Sequence, residues 1–89
     1  MERYYVRVEG RVQGVGFRFF VQTHARRLHV TGWIFNCCDG SVEMEVQGES
    51  SDLERLFFEI ERGNHFIRVE NIWKIKKAVL EENDFRIKG

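Results

Sequence analysis

Nine consecutive residues, Gly10-Arg11-Val12-Gln13-Gly14-Val15-Gly16-Phe17-Arg18, combine three glycines with a closing arginine in a spacing suited to holding an anion. Glycine lets the backbone turn sharply and come close to a ligand. Successive amides in such a turn converge as a nest. A helix starting at Phe17 would add amides without intrahelical partners and the positive end of its dipole, so the segment reads as a phosphate cradle. Arg18 supports this reading. A cation in the first turn of a helix opposes the dipole by roughly 0.3–1 kcal/mol. A bound phosphate reverses that sign, and a guanidinium can grip two of its oxygens. The plain alternative is a flexible connection with Arg18 on the surface. The spacing is neither the G-x-G-x-x-G of dinucleotide binders nor a P-loop, which needs Lys-Ser/Thr.

The elements that must position this loop follow from periodicity. Tyr4 to Glu9 alternates, with Tyr4, Val6 and Val8 on one face of a strand. After the loop, Phe17, Phe20, Val21, His24, Ala25 and Leu28 share one face of a helix over about 17–28. Thr31 to Phe35 is β-prone, Asp39-Gly40 signals a hairpin, and Val42, Met44 and Val46 alternate in a third strand. Ser51-Asp52-Leu53-Glu54 has the form of a capping box. It opens a second helix with Leu53, Leu56, Phe57 and Ile60 as its stripe and Gly63 as C-cap. A strand with Ile67, Val69, Asn71, Trp73 and Ile75 on one face follows, and Phe85-Arg86-Ile87 forms a short closing strand. The order β-α-β-β-α-β predicts a single α+β domain over residues 1–89. It is a ferredoxin-like sandwich, with both helices on one face of an antiparallel sheet. That fold hosts many activities, so function has to come from the site.

At these residues the chain resembles the acylphosphatase family, whose first signature is G-x-V-Q-G-V-x-F-R. Gly10 to Arg18 matches it at every fixed position. The second signature corresponds to Gly32-Trp33-Ile34-Phe35-Asn36, then Gly40-Ser41-Val42 and Gly48. The resemblance spans nearly the whole chain. It implies metal-free, cofactor-free hydrolysis of a carboxyl-phosphate anhydride to carboxylate and phosphate. It also implies that Arg18 holds the phosphate and Asn36 orients the attacking water, with amides from Gln13 through Gly14, Val15, Gly16 and Phe17 to Arg18 completing the phosphate shell. The chemistry agrees with so small a set. A carboxylate is a stable leaving group, so the reaction needs charge stabilisation and an aimed water, and an asparagine oxygen can accept a hydrogen bond from that water. Without the resemblance, Asn36 reads equally well as a turn residue.

Bulk composition narrows the alternatives. A chain of 89 residues buries roughly 60–65% of its unfolded surface, enough for one core but not for a large internal cavity. The expected site is therefore shallow. Lys+Arg and Asp+Glu balance at 14 each, which argues against a nucleic-acid or membrane-surface binder. Arg26-Arg27 and the Lys74-Lys76-Lys77 cluster read as solvated faces. No membrane span or signal-peptide pattern is present, so the expectation is a cytoplasmic monomer acting on a small molecule. Adjacent Cys37 and Cys38 pair poorly and lack zinc-ligand spacing. They read as free turn residues, although a nucleophilic cysteine with His24, His29 or His65 as base is conceivable.

Three positions depart from the family pattern. Phe35 stands where a basic residue is usual, although strand alternation points it away from Asn36. His29 replaces a small residue, and Gly63-Asn64-His65 replaces Gly-Pro-Pro. These departures bear on loop shape and substrate preference. His24 reads as a packed boundary residue, Trp33 and Trp73 as core or sheet-surface residues, and Glu43 and Glu45 as solvated. Two other functions compete with the enzyme: a non-catalytic anion- or carbamoyl-phosphate-binding module of the same fold, and an interaction domain using the open sheet face. The presence of both Arg18 and Asn36 favours the enzyme.

Overall fold

The computed structural model describes residues 1–89. Its elements are β1 (Glu2–Arg11), α1 (Phe17–Arg27), β2 (Thr31–Asn36), β3 (Val42–Gly48), α2 (Ser50–Arg62), β4 (Arg68–Lys77) and β5 (Phe85–Lys88). The five strands form one sheet in the order β4-β1-β3-β2-β5. Alternation places Val6 and Val8 of β1, Ile34 of β2, and Val42, Met44 and Val46 of β3 on the face covered by the helices, and all are buried. The helical stripes supply Phe17, Val21 and Ala25 from α1 and Leu53, Leu56, Phe57 and Ile60 from α2. No helix is long and apolar enough to cross a membrane.

The sheet is mixed, not antiparallel as expected, because β5 runs parallel to β2. The reason lies in where β4 ends. Lys77 pairs with Arg3, Arg3 with Gln47 and Gln47 with Thr31, a row across one end of the sheet. The chain from residue 78 to 84 returns along that row. Gln47 bonds Leu80 in both directions, Nε2 to O at 2.7 Å and N to Oε1 at 2.9 Å. Arg3 donates Nη1 to Glu82 Oε1 at 2.7 Å. A strand starting from that end beside β2 must run in the direction of β2.

Glu43 and Glu45, expected to be solvated, are half-buried and bonded to side chains of β1. Glu45 Oε1 accepts Arg3 Nε at 2.6 Å, with Arg3 only 1% exposed. Glu43 Oε2 accepts the Tyr5 hydroxyl at 2.8 Å. Burial and that bond push the Tyr5 phenol up to about 12.

The expected face of β4 breaks as well. The register with β1 shifts between Glu9 and Gly10, so that Glu9 meets Asn71 and Gly10 meets Val69. A bulge of this kind exchanges the two faces of a strand. Val69 and Ile72 turn to the core side, while Trp73 and Ile75 lie exposed on the open face at 47% and 57%. The capping box of α2 does not form either. The N-cap is Glu49, two residues before Ser51 and without a side-chain cap bond, which puts Ser51 inside the first turn. Gly63 caps α2 at φ 62 as expected. At the end of α1, His29 adopts a left-handed φ of 57, a conformation in which histidine is among the less disfavoured residues.

Candidate active site

The loop between β1 and α1 begins at Val12, two residues later than expected, because Gly10 and Arg11 belong to β1. Gly10 serves the sheet: a Cβ there would lie 2.1 Å from the Arg68 carbonyl oxygen. Val12 is buried and anchors the loop to the core. Gly16, at φ 76 and ψ 19, is the N-cap of α1, so no side chain caps the helix, and its first turn holds no acid. The first-turn amides therefore lack intrahelical acceptors. Arg18 sits among them and enters no salt bridge.

Asn36 is the last residue of β2, opposite Val42 of β3. It shares a strand face with buried Ile34, while Phe35 points to the open face and is exposed, as alternation requires. A shallow cavity of about 210 Å³ gathers Gly14, Gly16, Arg18 and Asn36, with Val12, Phe17, Phe19 and Ile87 around them. Asn36 Oδ1 is buried and no group in the protein donates to it. A buried acceptor left without a donor costs about 1–3 kcal/mol. The residue itself lines the cavity, so the unmet acceptor belongs to a side chain at its wall.

Gln13 joins the two halves of this cavity. Its Nε2 donates at 2.8 Å to the carbonyl oxygens of both Cys37 and Ser41, in the turn that follows Asn36. The sequence suggested only a backbone role for this residue. The signal was present in the fixed glutamine of the first signature, but its partners are carbonyls that become neighbours only in the folded hairpin. The turn is fixed in other ways too. Asp39 Oδ1 accepts the Ser41 hydroxyl at 2.6 Å and the Ser41 amide at 3.0 Å, and its Oδ2 accepts Arg7 Nη2 at 2.6 Å. These bonds, those of Ser41 first, hold the Asp39 carboxyl down at about 2.

Other candidates lie apart from this cavity. Glu43 and Glu45 face the opposite side of the sheet, and no carboxylate or histidine lines the cavity. His24 packs edge-on against Phe20 at 4.6 Å. Cys37 is half-buried, Cys38 is exposed, and both are free. Trp33 lies on the open face beneath Lys88, whose Nζ is 4.5 Å from the ring centroid. Larger hollows of about 450 and 510 Å³ flank residues 79–84, but neither holds Arg18, Asn36 or the loop amides. The smaller cavity is the one that brings Arg18, Asn36 and the loop glycines together.

Comparison with known proteins gives the family. The acylphosphatase family's sequence model matches residues 4–87. An acylphosphatase of Geobacillus kaustophilus is 49% identical over 98% of this chain and 94% of its own length. One from Clostridium acetobutylicum is 46% identical over 94% of this chain and 91% of its own. The crystal structure of acylphosphatase from Bacillus subtilis superposes with a TM-score of 0.94 at 37% identity, covering 100% of both chains.

Proposed function

The chain belongs to the acylphosphatase family and is an enzyme that hydrolyses acyl phosphates; we propose that Arg18, Asn36 and the amides from Gln13 to Arg18 carry that reaction. The observation that bears most weight is the buried, undonated Asn36 Oδ1 in the same cavity as Arg18 and the bare helix start.

In this reading the phosphoryl oxygens lie against the loop amides and the Arg18 guanidinium, which stabilise the charge they carry in the transition state. A water donates one O–H to Asn36 Oδ1, leaving a lone pair directed at phosphorus. Its oxygen forms the new P–O bond while the bond from phosphorus to the acyl oxygen breaks, and the carboxylate leaves with the electron pair. The water's surplus proton passes to a phosphate oxygen or to solvent. Asparagine cannot remove that proton, and a carboxylate leaving group needs no acid. A cavity without a carboxylate or histidine is sufficient for such a reaction. The working parts come from one chain, which supports a monomer. A cytoplasmic location completes the reading, and there the free Cys37 and Cys38 stay reduced.

Steady-state hydrolysis of acetyl phosphate tests the assignment. Asn36→Ala lowers kcat by about 10²–10³-fold, the usual cost of one transition-state hydrogen-bonding group. Arg18→Gln weakens both turnover and competitive inhibition by inorganic phosphate. Full activity in Asn36→Ala would remove its role, and inactivity of the wild-type protein would remove the whole reading.

A further inference from the structure

A second, more apolar groove lies beside the catalytic cavity and shares Gly16 and Phe19 with it. We propose that this groove receives the acyl group of the substrate and selects uncharged aromatic or branched acyl phosphates over small ones. The inference rests on the assignment of Asn36 as the residue that aims the water.

Direction is the first argument. Attacking and leaving oxygens lie roughly in line through phosphorus. Asn36 holds the water on the β2 side, so the acyl oxygen departs away from β2, and Gly16 and Phe19 at the start of α1 line both the cavity and the groove. The groove itself contains neither Arg18 nor Asn36.

Its chemistry is the second argument. Val15, Phe19, Phe20 and Ile67 form its apolar walls around about 300 Å³, near the lower limit of small-molecule pockets (~300–1,000 Å³). Phe19 is 69% exposed, although it lies on a helix whose other phenylalanines, Phe17 and Phe20, pack on the core. The groove carries no charge. His24 Nδ1 lies 2.7 Å from Arg27 Nη2, and a guanidinium can only donate, so the imidazole accepts there and is neutral. Burial and the Arg27 charge also lower its affinity for a proton. Asn64 Oδ1 is committed to the amides of Phe66 and Ile67, and the Thr23 hydroxyl to the Phe19 carbonyl. An acyl group bearing a carboxylate would find no cation in the groove, whereas a ring would find aromatic and aliphatic contacts.

The test compares kcat/KM for benzoyl phosphate and acetyl phosphate in wild type, Phe19→Ala and Thr23→Trp. Both positions are exposed, so neither change disturbs the core, and the ratio of the two substrates cancels any loss of folded enzyme. Losing roughly 50 Å² of ring contact predicts a fall of about 5- to 10-fold in the benzoyl-to-acetyl ratio for Phe19→Ala. Filling the groove with Thr23→Trp lowers the ratio similarly while leaving inhibition by inorganic phosphate unchanged. A ratio that stays constant in both variants overturns the groove assignment while the catalytic reading stands. A wild-type protein that hydrolyses neither substrate overturns both.

Discussion

Gln13 offers the most direct test of whether the cavity is held together by the fold or by its own bonds. Gln13→Met keeps the length of the side chain but removes both donors. Two hydrogen bonds of 2.8 Å are lost, to the carbonyls of Cys37 and Ser41. Each is worth about 0.5–1.5 kcal/mol net. Neither carbonyl is orphaned, since Cys37 O also accepts the Gly40 amide at 3.3 Å and Ser41 O the Cys37 amide at 2.9 Å. The loss therefore lies in the lower part of the range, about 1–2 kcal/mol in total, or roughly 4–16 °C in Tm for a domain of this size. The kinetic effect should be proportionately larger. Asn36 immediately precedes the turn that Gln13 holds, and a displacement of ~1 Å at an orienting group can cost about 10²-fold. The expected result is a kcat for acetyl phosphate reduced by about 10- to 100-fold, with inhibition by phosphate nearly unchanged because the loop amides remain. Thermal denaturation and steady-state kinetics on the same preparation decide the matter. A lowered Tm with normal kcat would reduce Gln13 to a structural brace. An unchanged Tm would refute the energetic argument itself.

Two further outcomes follow from other bonds. Asp39 holds its carboxyl at about 2 when folded, below its ordinary 3.8, so the unfolded chain binds the extra proton and stability rises with pH across that window. Its contribution is fully present above about pH 4 and is lost as pH falls through about 2. Acid denaturation of Asp39→Asn should therefore show a shallower loss of stability between those values, and an unchanged slope would deny the linkage. Removing the buried guanidinium with Arg3→Met leaves Glu45 and Glu82 without their cation. Because both carboxylates keep some solvent contact, the cost should be about 2–3 kcal/mol, with faster hydrogen exchange at the β5 amides as the return segment loosens.

Features coded by local period were legible in the sequence, and those set by distant pairing were not. The stripes of α1 and α2, the hairpin at Asp39-Gly40 and the Gly63 cap depend on residues within one or two turns of each other. The faces of β4 depend on a bulge opposite Gly10, and nothing between Arg68 and Lys77 announces it. A strict period of two, applied across that bulge, put Trp73 on the wrong side of the sheet. Parallel β5 and buried Arg3 share one cause, the return of residues 78–84 along the end of the sheet, which brings together groups 79 positions apart in sequence. The start of α2 was misread because the capping-box pattern at Ser51 lies inside a helix whose N-cap is Glu49.

The same division runs through the site. The loop's glycines and Arg18 were legible because an anion cradle is a local object, built from consecutive amides. Asn36 was ambiguous by itself, since a residue at the end of a strand beside a turn is a common place for asparagine. Its undonated oxygen is what the proposed role draws on. A turn asparagine would bond its own backbone, as Asn64 does with the amides of Phe66 and Ile67, whereas Asn36 Oδ1 receives no donor. On the proposed reading, the contrast between these two asparagines separates one that stabilises a turn from one that aims the water. A hydrolase whose leaving group needs no acid can be built from little more than such an available acceptor facing an uncapped helix.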